Sequence, residues 1–233
     1  MQGPVSYAIW MFVLLAECFF VVCALYRREF LRNLTLSSYM LLCLVGNVGV
    51  YVCSRAYGIH SAEYFYSYYS SDILLSVLMY FVIAGLFSQV FAGTQFSRYV
   101  RGASLILLGA TALFAFISSY SAGQKISTQF AVELEQDLNF VGVVLMYVLW
   151  GAVTKLRESR LRLVQVILAL GVYCSAVAAT YALRNLFPNL EFSMLAWLPP
   201  ITALWLPVAW SYTFMRVPES ARFAPGHLLA APQ

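Results

Sequence analysis

The sequence predicts an all-α membrane protein, a seven-transmembrane helix bundle with its N-terminus outside and its C-terminus in the cytoplasm. Three observations carry this. Of the 233 residues, 62% are hydrophobic and only 10% charged, too few polar side chains to cover a water-soluble globule of this size. Seven apolar stretches are about long enough to cross a hydrocarbon core, at roughly 7–26, 35–54, 72–91, 103–122, 138–154, 163–183 and 194–215. The third is the placement of the basic residues. With the N-terminus outside, the inner segments hold Arg27, Arg28, Arg32, Arg98, Arg101, Lys155, Arg157, Arg160, Arg162, Arg216 and Arg222, and the outer segments only Arg55, Lys125 and Arg184. An excess of Lys and Arg marks cytoplasmic loops.

Helices rather than strands are expected because a helix satisfies its own backbone polar groups in lipid, and no stretch alternates with the two-residue period of a barrel strand. The opening MQGPVSYAIW carries no basic n-region, so a cleaved signal peptide is not expected. The net charge of +4 is an orientation signal, and no nucleic-acid partner is expected from basic residues scattered through short loops. Membrane lipids are the expected surroundings, and KLRESRLR at 155–162 is a candidate contact for anionic headgroups. Residues 1–216 form the expected membrane domain, and 217–233 a short disordered cytoplasmic tail. Five cysteines (Cys18, Cys23, Cys43, Cys53, Cys174) lie in or at the ends of spans without a C-x-x-C pair and are expected to be small apolar fillers.

Polar residues inside spans are the candidate sites, because each is costly in lipid unless paired. Span one carries Glu17, which either hydrogen-bonds a neighbouring helix or binds a proton or cation. Span two sets Tyr39, Cys43, Gly46, Asn47, Val50, Cys53 and Ser54 on one helical face. There Gly46 is expected to admit a close neighbour and Asn47 to bond across the contact. Before span three lies SAEYFYSYYSSD, with Tyr64, Phe65, Tyr66, Tyr68 and Tyr69. This is either an interfacial aromatic belt or the rim of a site for a cation or an aromatic ligand. Asp72 either caps span three or serves a site, with Ser76 and Tyr80 following at i+4 and i+8 on one stripe. Span six places Tyr173, Val177, Thr180, Tyr181 and Arg184 on one side and a Gly171, Ser175, Ala179 seam on the other. Span seven, AWLPPITALWLPVAWSYTF, contains Pro199, Pro200 and Pro207, each expected to bend it. Trp197 and Trp210 are expected at the two headgroup levels.

Counting at about 1.5 Å per residue puts Glu17, Asn47, Tyr80, Tyr147 and Tyr173 in one layer, roughly 10–15 Å below the outer surface. Above it would lie Asp72, Arg55, Asp137, Arg184, Tyr181 and His60. The layer is either a packed hydrogen-bond belt or the floor of an outward cavity. Its candidate pocket comprises Glu17, Asn47, Asp72, Ser76, Tyr80, Tyr147, Tyr173, Tyr181 and Arg184.

Familiar chemistries find little support. Span seven has no lysine to attach retinal. WLP at 205–207 lies in the wrong span for the receptor Trp-x-Pro switch, and no Asp-Arg-Tyr triplet follows span three. GASL at 102–105 has no intramembrane histidine to act as base. With only His60 and His227, both outside spans, no haem, metal or other cofactor is expected. The seven-span layout with YFYSYYSSD at 64–72 resembles uncharacterised bacterial seven-helix membrane proteins. That resemblance implies a bacterial inner-membrane location and no activity. The expected function is a non-enzymatic sensor or receptor, or a complex subunit. It would take a small-molecule ligand from the outer side and pass its signal to a cytoplasmic or membrane protein partner. A small-solute or proton-coupled transporter using Glu17 and the broken span seven is the alternative, with an intramembrane enzyme third.

Overall fold

The structure, a computed structural model, describes residues 4–27, 30, 33–58, 61–92, 99, 102–103, 106–111, 113, 116–117, 126–156, 160–186, 198–218 and 221–222, with backbone alone for 4–7, 126–133, 135, 184–185 and 198. Among these residues the regular structure is helical, with no strand: α1 (Pro4–Tyr26), α2 (Leu34–Tyr57), α3 (Ala62–Val90), α5 (Ile126–Lys155), α6 (Leu161–Leu186) and α7 (Leu198–Arg216). Helical positions at 102–103, 106–111, 113 and 116–117 are grouped as α4. Among the described residues, five helices are long and apolar enough to cross a membrane: Ala8–Tyr26, Leu34–Tyr57, Ala62–Val90, Gln136–Lys155 and Leu161–Leu183. The chain is therefore a multi-pass helical membrane protein. The prolines, aromatic hydroxyls and Ser/Thr groups of α7 dilute its apolar content.

Two helices are longer than their apolar cores require. α3 has 29 residues and α5 has 30, about 43–45 Å against a hydrocarbon core of about 30 Å. The aromatic stretch is thus not a loop before span three but the first two turns of α3. Its cap is Ser61, whose Oγ accepts from the Tyr64 N–H at 3.1 Å. Asp72 is not a cap, because the helix begins ten residues before it. Helix α2 ends at Gly58, whose φ of +83° suits glycine and whose N–H bonds the Ser54 carbonyl at 3.1 Å.

Six helices close a ring. α1 packs on α2 and α7, α2 on α3, α3 on α5, α5 on α6, and α6 on α7. Along α3 and α5 the contacts advance in the same direction. Tyr80 sits with Leu134 and Leu138, and Ile83 lies 3.4 Å from where a Gly142 Cβ would stand. These neighbours are therefore parallel. α1 and α7 are parallel too, with Phe20 against Trp210 and Phe214, and Arg27 reaching the Met215 carbonyl at 3.3 Å. Leu108 of α4 packs against the Tyr80 cluster, on the α3/α5 side of the ring.

The ring interior toward the basic ends of the helices is an apolar core built on Phe20, Met40, Ile83, Leu86, Leu149, Ile167, Leu170, Leu206 and Trp210. Trp210 is no headgroup anchor. It is 0% exposed, and its indole N–H reaches the Val166 carbonyl at 3.4 Å, while Trp205 bonds the Ala169 carbonyl at 3.1 Å. Trp197 lies outside the described residues. Of the prolines in α7, only Pro207 lies in the helix interior. Pro199 and Pro200 occupy the first turn, whose amides have no helical acceptor, so they interrupt nothing. Gly46 also departs from expectation: an added Cβ would meet only the Ser71 side chain, at an ordinary 3.7 Å.

Candidate functional site: a polar cavity inside the ring

Each ring helix contributes a mid-length residue to one partly enclosed cavity of about 190 Å³. Glu17 comes from α1, Tyr39, Met40, Cys43 and Asn47 from α2, Asp72, Leu75, Ser76 and Met79 from α3, Asn139 from α5, Tyr173 and Val177 from α6, and Ala203, Leu206 and Pro207 from α7. The volume is that of about six waters at roughly 30 Å³ each. The stripe on α2 is what the 3.6-residue period produces: Tyr39, Cys43 and Asn47, four apart, climb one wall.

The wall is knit by hydrogen bonds. Asn47 Nδ2 donates to both carboxylate oxygens of Glu17, at 2.9 and 3.1 Å. Glu17 is 4% exposed, so this amide bridges α1 and α2 where an unpartnered carboxyl would be costly. Tyr39 makes side-chain hydrogen bonds with Tyr173 of α6 and with Cys43, so the contact crosses the ring. The lining combines two acids, two carboxamides, two phenols, a hydroxyl and thioethers. Among the described residues, no Lys, Arg or His side chain lines it.

Of the residues expected to form a pocket, the structure brings Glu17, Asn47, Asp72, Ser76 and Tyr173 together at this cavity. It separates three others, and the fourth, Arg184, is not described at its side chain. Tyr80 is buried in a satellite cluster with Leu134 and Leu138. Tyr147 is 68% exposed on the outer face of α5. There it lines an apolar groove of about 310 Å³ with Trp150, Gly171 and Ser175, so the small-residue face of α6 opens on that groove. Tyr181 is half-buried and does not line the cavity. All of His60 lies outside the described residues. The rim aromatics pack along α3 itself. Tyr64 stacks on Tyr68 at 6.3 Å and Phe65 on Tyr69 at 6.4 Å, while Tyr66 is largely exposed.

The chain matches no family model, no curated protein and no solved structure. The cavity's own chemistry therefore carries the functional argument. Sequence reasoning missed Asn139 in particular. It stands seven residues before Met146, nearly two full helical turns, and so shares the inward face of α5. Tyr147 lies one residue, about 100°, further round.

Proposed function

We propose that this chain is a seven-span inner-membrane protein of bacterial type, with α4 and α7 completing the spans, its N-terminus outside and its C-terminus in the cytoplasm. In this reading it is a non-enzymatic sensor or receptor, or a ligand-responsive subunit of a membrane complex, and it signals through a separate protein partner. The supporting observation is that all six ring helices meet at one polar cavity. A small molecule bound there touches every helix of the ring at once, so its differential affinity for two packings can shift the whole bundle. The lining suits a compact polar ligand that offers hydrogen-bond donors to Glu17, Asp72 and the carboxamides.

The test is native mass spectrometry of protein extracted in mild detergent, comparing the parent with Ser76→Val and Asp72→Asn, and with Tyr147→Phe as the outward-facing control. A retained small molecule lost from the first two variants and kept by the third supports the reading. Retention unaffected by all three overturns the cavity as the binding site.

A transporter is the second reading, favoured by one feature of the ring. α1–α2–α3 and α5–α6–α7 are two three-helix halves running in the same directions, joined by way of α4, with the cavity between them. Solute sites between such parallel repeats are a known transporter plan. This reading expects Glu17→Gln to abolish uptake into proteoliposomes while leaving the protein folded. Binding without flux in the parent returns the sensor reading.

A further inference from the structure

A second, smaller pocket lies at the opposite end of the apolar core, and its chemistry is the reverse of the central cavity's. It measures about 80 Å³ and is lined by Asn33, Gln89, Arg160, Arg162, Phe214 and apolar residues of α2, α3 and α6. Two guanidinium groups and two carboxamides face a space of two to three waters at about 30 Å³ each, and among the described residues no acidic side chain lines it.

Three features hold this arrangement in place. The Arg160 guanidinium donates to the Gln89 carbonyl at 2.7 Å, which ties the start of α6 to the end of α3. The Arg162 guanidinium lies over the Phe214 ring at 4.0 Å, which ties α6 to α7. The chain following α7 then returns to this corner, with the Leu161 N–H bonding the Ala221 carbonyl at 3.2 Å and Arg160 pairing with Arg222 as an antiparallel bridge. Residues 221–222, expected to be part of a disordered tail, are thereby part of the pocket's frame. A fourth feature concerns Asn33. It occupies the N-cap position of α2, where an asparagine side chain ordinarily bonds the helix's own amides. Here it makes no such bond and lines the pocket instead. The N-terminal ends of α2 and α6, each the positive end of a helix dipole, thus converge on the same space as the two arginines.

We propose that this pocket binds a single tetrahedral oxyanion of the phosphate class, supplied either as free phosphate or as the phosphodiester of an anionic phospholipid headgroup. Planar guanidinium forks match two oxygens of such an anion. The pocket's volume of about 80 Å³ is on the scale of one phosphate group. Its two arginines belong to the basic KLRESRLR segment, which in the proposed topology lies at the level of headgroup phosphates. Occupancy would clamp α2, α3, α6 and α7 together below the central cavity.

The experiment measures unfolding temperature of the full chain in a nonionic detergent. The probes are inorganic phosphate against chloride at equal ionic strength, and short-chain phosphatidylglycerol against phosphatidylcholine. A rise of several degrees with inorganic phosphate assigns a free-anion site; a rise confined to phosphatidylglycerol assigns the headgroup. Asn33→Asp keeps a good N-cap and places a carboxylate in the pocket, so it is expected to fold with an unchanged baseline and lose the response. Arg162→Gln is expected to lose it as well. If neither probe raises the unfolding temperature, or if Asn33→Asp and Arg162→Gln both respond as the parent does, the proposal is overturned and the arginines serve only to pin the helices.

Discussion

Asn47 holds Glu17 by both carboxylate oxygens, at 2.9 and 3.1 Å, and so links α2 to α1 inside the ring. Replacing Asn47 by Leu leaves that carboxyl buried without this amide. The expected loss is about 1–3 kcal/mol of stability, read as a lower unfolding temperature in detergent. Adding Glu17→Leu to Asn47→Leu should recover part of it. A double-mutant cycle is expected to give a coupling of about 0.6–2 kcal/mol, and a coupling of zero would show that the bond contributes nothing.

The two ends of the aromatic stretch should respond differently to mutation. Ser61→Ala removes the cap of α3 and is expected to cost about 0.5–2 kcal/mol, seen as faster hydrogen exchange at the amides of residues 62–66. Asp72→Asn, ten residues further along, should leave those amides protected as before. Fraying at the start of α3 on Asp72→Asn would restore Asp72 as the cap.

Burial of the indole separates the two tryptophans of α7. Trp210→Ala empties a fully buried site and is expected to cost about 3–5 kcal/mol. Trp205→Phe, on a side chain 44% exposed, loses only one hydrogen bond to the Ala169 carbonyl, about 0.5–1.5 kcal/mol. Equal losses would contradict the burial pattern.

Pro207 both interrupts α7 and lines the cavity. Pro207→Ala restores an amide donor to the Ala203 carbonyl and is expected to straighten the helix. Helix content by circular dichroism should stay the same while retention of any cavity-bound molecule falls at least several-fold. Unchanged retention would make Pro207 irrelevant to the cavity.

Orientation is tested by single cysteines in a cysteine-free background. An impermeant maleimide added to intact cells is expected to label Glu63→Cys and to spare Lys155→Cys until the membrane is opened. The opposite pattern would invert the proposed topology.

Much of the bundle was legible in the sequence because apolar length reports directly on what lipid demands. Where helices begin was less legible. Residues 62–71 and 126–135 are helical, but their polar and aromatic composition gives no hydropathy signal, so α3 and α5 look shorter than they are. Asp72 therefore read as either a cap or a site residue. The cavity was half legible for a related reason. Depth is a one-dimensional count, whereas membership of a site also needs the angle around the helix. Glu17, Asn47 and Tyr173 had both right. Tyr147 had the depth and the wrong angle, and Tyr80 points to the α3/α5 seam instead of the lumen. Trp210 read as an anchor because the sequence could not say which neighbours would enclose it.

Closure of the ring between its first and last helices also sets the order of assembly. Arg27 and its acceptor Met215 are 188 residues apart, so at ribosomal rates of about 5–20 residues per second the seam stays open for roughly 10–40 s after α1 is made. During that interval the lumen face of α1 has no α7 to cover it. Glu17 and Asn47 are only 30 residues apart. The nascent hairpin of α1 and α2 can thus shelter its own carboxyl from lipid long before the rest of the cavity has been synthesised.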